Sequence, residues 1–203
     1  MKKEKTKIQA TIEYYNDHHS QFAEDTVNVR FSAIQDRFLQ LVPGGGLILD
    51  FGCGSGRDSL YFKQKGYAVE ACDGSPQMVR IASEYTGLPV KQMLFSELDE
   101  KDRYDGIFAC ASILHTPLAE LPDILTKMIT ALKTDGIAYI SFKCGDYEGY
   151  RNGRYFTDMT EEQLKELISG VEHIKIVETM ITSDVRPGRE HEKWLNVLLQ
   201  KTA

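Results

Sequence analysis

The sequence has no apolar run long enough to cross a bilayer. Its longest stretches, 106–114 and 137–142, reach about half of the roughly 20 residues that a membrane helix needs. Cysteine is sparse, and Cys53, Cys72, Cys110 and Cys144 include no Cys-x-x-Cys pair. That spacing excludes a zinc ribbon and a redox dithiol, and leaves buried thiols in a reducing compartment. A basic surplus is also missing: 30 acidic residues against 24 basic ones give a formal charge of -6. Domains built to hold nucleic acid usually carry the opposite balance, so that partner is disfavoured. The opening Met1–Lys7 is basic but leads into no apolar core, so it does not read as a secretory signal. The expectation is a soluble cytoplasmic chain with no membrane partner, acting as a monomer or homodimer.

No repeat or low-complexity segment interrupts the 203 residues, of which 42% are hydrophobic and 27% charged. This composition fits one globular domain with a real core. Residues 6–16 and 28–41 read as helices, the second stopped by Pro43-Gly44-Gly45-Gly46. Leu47-Ile48-Leu49-Asp50-Phe51 reads as a strand covered on both faces. Helices are expected over 57–65, 75–85 and 118–132, alternating with strands over 67–72, 90–94, 105–110 and 136–142. Such alternation implies right-handed crossovers and a mostly parallel sheet, an α/β sandwich. The last third breaks the rhythm. A helix over 160–169, with a capping box from Thr160 and Gln163, precedes strands over 171–182 and 194–201. The link between those strands is too short for a helical crossover, so they pair antiparallel.

The strongest chemical signal is Asp50-Phe51-Gly52-Cys53-Gly54-Ser55-Gly56, set between a strand and a helix. Alternate glycines let the chain turn sharply and let a ligand approach without meeting a β-carbon. The dinucleotide fingerprint needs a further glycine where Arg57 stands, and the Lys-Ser/Thr ending of a phosphate loop is absent. Asp73 follows at the end of the second strand, facing the loop from the neighbouring strand. A carboxylate there can accept from both hydroxyls of a ribose, at the strand ends where open α/β sheets bind ligands.

These residues, with Asp73-Gly74-Ser75-Pro76-Gln77-Met78 and Tyr104-Asp105-Gly106-Ile107, resemble a class I S-adenosylmethionine-dependent methyltransferase over about 47–142. The stretch from Gly52 to Ser59 is more similar to the small-molecule and tellurite-resistance-like branch. The resemblance implies a Rossmann-like three-layer sandwich with a seven-stranded, mostly parallel sheet and an antiparallel last strand. It implies one domain over 1–203, divided into an N-terminal helical lid (1–42), a cofactor-binding core (43–143) and a substrate-side loop, helix and hairpin (144–203). S-adenosylmethionine is the implied cofactor, and S-adenosylhomocysteine its product. Gly52, Gly54 and Gly56 would pass under the methionine moiety, with Asp50 holding its ammonium. Asp73 would take the ribose, beside Gly74 and Ser75, with Met78 near ribose or adenine. Ser96, Glu97 and Leu98 fall at the adenine, Cys110 and Ala111 at the sulfonium, and Tyr15 in a segment folding over the cofactor.

His115, five residues beyond Cys110, is the candidate general base for an acceptor that must lose a proton. The aromatic-basic segment 143–158, with Tyr150, Arg154 and Phe156, is expected to form a substrate-side loop. Arg186 and Arg189 form a second patch suited to an anionic acceptor. Adjacent His18 and His19 have no further ligand at metal spacing, so no metal is expected. Ala109-Cys110-Ala111-Ser112 stands where amine methylation of bases needs an Asn/Asp-Pro-Pro motif, and Cys110 lacks the preceding proline of a pyrimidine-carbon nucleophile. The leading reading is therefore methyl transfer to a small molecule. An RNA or protein acceptor, a non-catalytic cofactor-binding module and an NAD-linked oxidoreductase are the alternatives, the last weakened by Arg57 and the antiparallel finish.

Overall fold

The structure is a computed structural model that describes residues 6–203. The first five residues of the expected N-terminal lid, which hold most of the basic opening stretch, lie outside the described residues. Nine strands and seven α-helices follow among the described residues. The chain opens with α1 (Lys7–Asp17), α2 (His19–Val27) and α3 (Ser32–Leu39). The alternating core is β1 (Leu47–Phe51), α4 (Arg57–Gln64), β2 (Ala68–Asp73), α5 (Pro76–Thr86), β3 (Val90–Gln92), β4 (Tyr104–Ala109), α6 (Leu121–Ala131) and β5 (Leu132–Lys143). A small hairpin, β6 (Glu148–Arg151) and β7 (Arg154–Thr157), precedes α7 (Glu161–Ser169), β8 (Ile174–Ser183) and β9 (Lys193–Lys201).

Seven strands form one sheet in the order β3-β2-β1-β4-β5-β9-β8. Pairing is parallel from β3 to β5, whereas β9 runs antiparallel to both β5 and β8. The chain moves outward from β1 to β3 and then crosses back to β4. That reversal opens a crevice at the carboxyl ends of β1 and β4, the ligand position of such sheets.

Alternation along each strand feeds two apolar layers, as a strand buried on both faces requires. On one face Ile48, Phe108, Tyr139 and Leu198 meet Phe38 of α3 and Phe62 of α4. Phe108 and Tyr139 stack there at 4.3 Å between centroids. On the other face Leu49, Ile107, Ala138 and Ile140 meet Leu121, Leu125 and Met128 of α6 and Leu164 of α7. Local chemistry sets the helix starts. Ser75 caps α5 through Met78 N–H, and Thr160 and Gln163 form a reciprocal capping box on α7.

Three elements differ from the sequence expectation. Residues 19–27 form a helix, because the chain bends only at His18 (φ -114°) and resumes helical geometry. Of the expected 1–42 lid, α3 is buried behind the sheet through Ile34 and Phe38, so it covers no crevice. The 143–158 segment is a hairpin, not a loop. Its Asn152-Gly153 turn has φ of 49° and 82°, the two-residue geometry that matches strand twist.

Candidate functional site

The glycine-rich turn after β1 and the carboxyl end of β2 are tied together by Asp73. Its Oδ2 accepts from Gly54 N–H at 3.0 Å and its Oδ1 from Ser75 N–H at 2.8 Å. Burial raises this carboxyl above its ordinary range, while the N–H groups of Ser75, Gly54 and Gly74 work the other way. A carboxylate offers about four lone-pair sites, so these N–H groups do not exhaust its capacity to accept. Asp73 also lies on the wall of the cavity at the strand ends, which has a volume of about 240 Å³.

Gly52, Gly54, Gly74, Ser75, Met78 and Ser96 share that wall, together with Met93 and Phe95. Gly52 (φ 85°) admits no side chain: a β-carbon would lie 2.5 Å from Ser112 Cβ. Ser112, which the sequence did not single out, donates to Phe51 C=O at 2.7 Å and so fixes the two turns against each other. Ala111 beside it holds φ of 50°, unusual for a residue with a β-carbon, and donates its N–H to Ser141 Oγ at 2.8 Å.

The structure separates several expected residues from this wall. Asp50 is 1% exposed and lies beneath the turn, accepting from Ser59 Oγ at 2.5 Å. Burial and the neighbouring Asp58 push its carboxyl up to about 8, so it does not face the cavity as a ready anion. Gly56 lies off the wall too. Its missing β-carbon makes room for α5, since one would meet Thr86 Cγ2 at 2.7 Å. Glu97 turns back to accept from Leu94 N–H at 2.7 Å, and Leu98 belongs to the core. Tyr150 is 51% exposed and also lies off the wall. Cys110 and Ala111 do line it, but Cys110 Sγ lies 3.6 Å from Arg57 Nη2, and burial pushes the thiol up to about 12.

Helices α1 and α2 close over the crevice. Ser75 Oγ donates to Asn16 Oδ1 at 2.7 Å, Thr26 Oγ1 donates to Phe22 C=O at 2.7 Å and accepts from Ser55 Oγ at 3.1 Å, and Ile12 sits against Gly74. Phe22 lies so near Gly54 that a β-carbon there would meet its ring at 3.2 Å. The β6–β7 hairpin backs α1, with Tyr155 N–H donating to Thr11 Oγ1 at 3.0 Å.

His115 stands where lid and hairpin meet. Its Nδ1 lies 2.6 Å from Tyr155 C=O, and its Nε2 lies 2.9 Å from the Tyr15 hydroxyl. A carbonyl can only accept, so Nδ1 carries the proton, and Nε2 accepts from Tyr15. Burial, reinforced by the Arg154 charge, pushes this imidazole down to about 4. Tyr15 is raised, first by burial, with Arg154 opposing. Arg154 Nη1 donates to the Tyr15 hydroxyl at 3.3 Å. The expected base is thus a neutral, tautomer-fixed acceptor already engaged by Tyr15.

Phe156, Arg186 and Arg189 also reach the cavity wall. Arg186 is paired with Asp184, which also accepts from Trp194 Nε1 at 3.0 Å. Although burial opposes it, that pairing holds the Asp184 carboxyl down at about 2. Arg189 lies 3.6 Å from Glu192. Among the described residues, no group of three His, Cys, Asp or Glu could hold a metal ion, and no helix is long and apolar enough to cross a membrane.

Comparison with known proteins agrees with this geometry. A methyltransferase-domain family matches residues 48–136, the span that contributes the glycine turn, Asp73 and Ser112. An uncharacterized methyltransferase of Staphylococcus carnosus is 28% identical over 137 residues, covering 64% of this chain and 66% of that protein. Among solved structures, the Burkholderia thailandensis 1,6-didemethyltoxoflavin-N1-methyltransferase, with 1,6-didemethyltoxoflavin and S-adenosylhomocysteine bound, is 25% identical. It superposes with a TM-score of 0.72 over 95% of this chain and 85% of its own. The magnesium protoporphyrin IX methyltransferase of Synechocystis PCC 6803, with S-adenosylmethionine bound, gives a TM-score of 0.74 over 100% of both chains at 17% identity. At that identity the second likeness is one of fold.

Proposed function

We propose, for a chain that belongs to the class I S-adenosylmethionine-dependent methyltransferases, that it transfers methyl to a small-molecule acceptor lodged between Tyr15, His115, Arg154 and the ends of β5 and β9. Asp73 is the observation that carries the cofactor reading. It is a half-buried carboxylate on the cavity wall that fixes the glycine turn through backbone N–H groups and keeps acceptor capacity for a ribose diol. Gly52 and Gly54 bring the turn onto the cavity wall where the methionine end would lie, and Met93, Phe95 and Met78 supply an apolar wall for a purine. The donor set therefore fits S-adenosylmethionine.

The bound sulfonium supplies an already activated methyl group, so the protein's task is to align the acceptor and exclude water. Helices α1 and α2 do the excluding, through Asn16, Tyr15, Phe22 and Thr26. His115 keeps Tyr15 in place. Where an acceptor must lose a proton, Tyr15 oxygen is the group that would take it, as its own proton passes to His115 Nε2. Because His115 is held near 4, that transfer is brief, and the arrangement suits acceptors that are already nucleophilic. A covered cavity and a charge of -6 favour a small acceptor over nucleic acid. The likeness to the methyltransferase named for 1,6-didemethyltoxoflavin supports the same class. We read the chain as a single cytoplasmic domain acting as a monomer or homodimer.

Calorimetric titration with S-adenosylhomocysteine, with NADH as the control, tests this reading. One-to-one binding at micromolar affinity, about -8 kcal/mol, is expected, with no NADH binding. Tight NADH binding without S-adenosylhomocysteine binding would replace it with an oxidoreductase.

A further inference from the structure

Five basic side chains border the cavity: Arg57, Lys143, Arg154, Arg186 and Arg189. Four have carboxylate partners. Arg57 is paired with Asp58 at 2.8 Å, Lys143 with Glu192, Arg186 with Asp184, and Arg189 with Glu192 at 3.6 Å. Arg154 has no carboxylate within 4.0 Å among the described residues. Its guanidinium lies 4.6 Å from the Tyr14 ring centroid, 5.1 Å from Phe156 and 5.7 Å from Tyr15. Its Nε is buried and makes no hydrogen bond. The Tyr15 hydroxyl, 3.3 Å from Nη1, donates its own proton to His115, so it offers the cation a dipole but no charge.

Arg154 as a whole is half-buried, but a buried donor such as its Nε without an acceptor is rare. Aromatic faces hold a guanidinium's position but leave its in-plane donors unused, and those donors match the two oxygens of a carboxylate. A planar oxyanion entering the cavity would supply the partner that the protein does not. The residue stands on the β6–β7 hairpin, outside the 48–136 span matched by the methyltransferase-domain family.

We propose that the methyl acceptor is an anion, and that Arg154 binds it through a carboxylate or a similarly planar oxyanion. This rests on the methyltransferase reading above. Arg154 is then a substrate-binding residue, held flat by Tyr14 and Phe156, with Tyr15 and His115 fixing its approach.

Three ligands of matched shape and different charge, benzoate, benzamide and benzylamine, test the proposal by calorimetry, with and without saturating S-adenosylhomocysteine. Benzoate is expected to bind at least tenfold more tightly than benzamide, and benzylamine not at all. Arg154→Gln should abolish that preference and Arg154→Lys retain part of it, both variants keeping wild-type affinity for S-adenosylhomocysteine. Equal binding of benzoate and benzamide, no benzoate binding at tens of millimolar, or a preference that survives Arg154→Gln would each overturn it. So would a tenfold loss of S-adenosylhomocysteine affinity in Arg154→Gln, because the cation would then serve the cofactor's own carboxylate. Failure of wild-type protein to bind S-adenosylhomocysteine would instead sink the methyltransferase reading, while the titrations without it still report on the anion site.

Discussion

Acidification should unlock the junction between lid and hairpin through one residue, His115. Its imidazole is held down at about 4 against an ordinary 6.5, because burial and Arg154 disfavour the cation. The unfolded chain therefore binds more protons than the folded one between these values, and stability must fall as pH drops through that window. Integrating the two titrations from about pH 7.5 to about pH 5 gives a loss of about 2 kcal/mol; exposure of the ring at the cavity wall makes this a ceiling. Structurally, a protonated Nε2 becomes a donor facing the Tyr15 hydroxyl, which already receives a bond from Arg154, so the tyrosine proton loses its acceptor. Urea unfolding of the wild type and His115→Asn at both pH values isolates the effect. The asparagine amide can replace Nδ1 as donor to Tyr155 C=O but cannot titrate. With a slope of about 2 kcal/mol per molar urea, the wild type should lose up to about 1 M more in midpoint than the variant. Equal losses in the two proteins would refute the assigned protonation state.

Three further outcomes are expected. Asp73→Ala removes up to two charge-assisted bonds to the ribose, about 1.5–3 kcal/mol each at most, and should weaken S-adenosylhomocysteine at least tenfold by calorimetry; unchanged affinity in a folded variant would disprove the site. Gly52→Ala sets a β-carbon 2.5 Å from Ser112 Cβ at φ of 85°, and strain plus overpacking should cost about 2–5 kcal/mol in thermal or urea unfolding. Adding Ser112→Gly should restore part of it, and no recovery would show that the contact is not the cause. Asp50, raised to about 8 from 3.8, keeps a proton in the folded state that the unfolded chain releases, so this group makes stability fall as pH rises between those values. Asp50→Asn should flatten that decline between about pH 5 and 8, and an unaltered slope would place the proton elsewhere.

The alternating core was legible because its signals are local: apolar runs for strands buried on both faces, glycines at a turn, Ser75 and Thr160 at helix starts. The reversed finish was legible because a short polar link cannot carry a helical crossover. Role was harder to read than position. Gly54 and Gly56 are alike in sequence, yet one faces the cavity and the other faces Thr86 and Ala82 of α5, a distinction made only by tertiary packing. Helix α2 buries no residue, so it has no apolar stripe to announce it. The hairpin did carry a signal, Asn152-Gly153, that the reading of 143–158 as a loop passed over. That turn decides which residues of an aromatic-basic cluster matter, sending Tyr150 to solvent and Arg154 inward.

Helix α1 links the two halves of the site. It hydrogen-bonds to the cofactor side through Asn16 and Ser75, and to the acceptor side through Tyr15 and His115 and through Thr11 and Tyr155. The cavity cannot open over Asp73 by lifting α1 without breaking contacts that also orient Arg154, whose cation rests on Tyr14 and Tyr15 of the same helix. A ligand that favours the closed position of α1 therefore favours the formed acceptor wall as well, since a ligand shifts an equilibrium by its difference in affinity between the two positions. Cofactor and acceptor should therefore each strengthen the other's binding through this one helix, by the same factor in both directions.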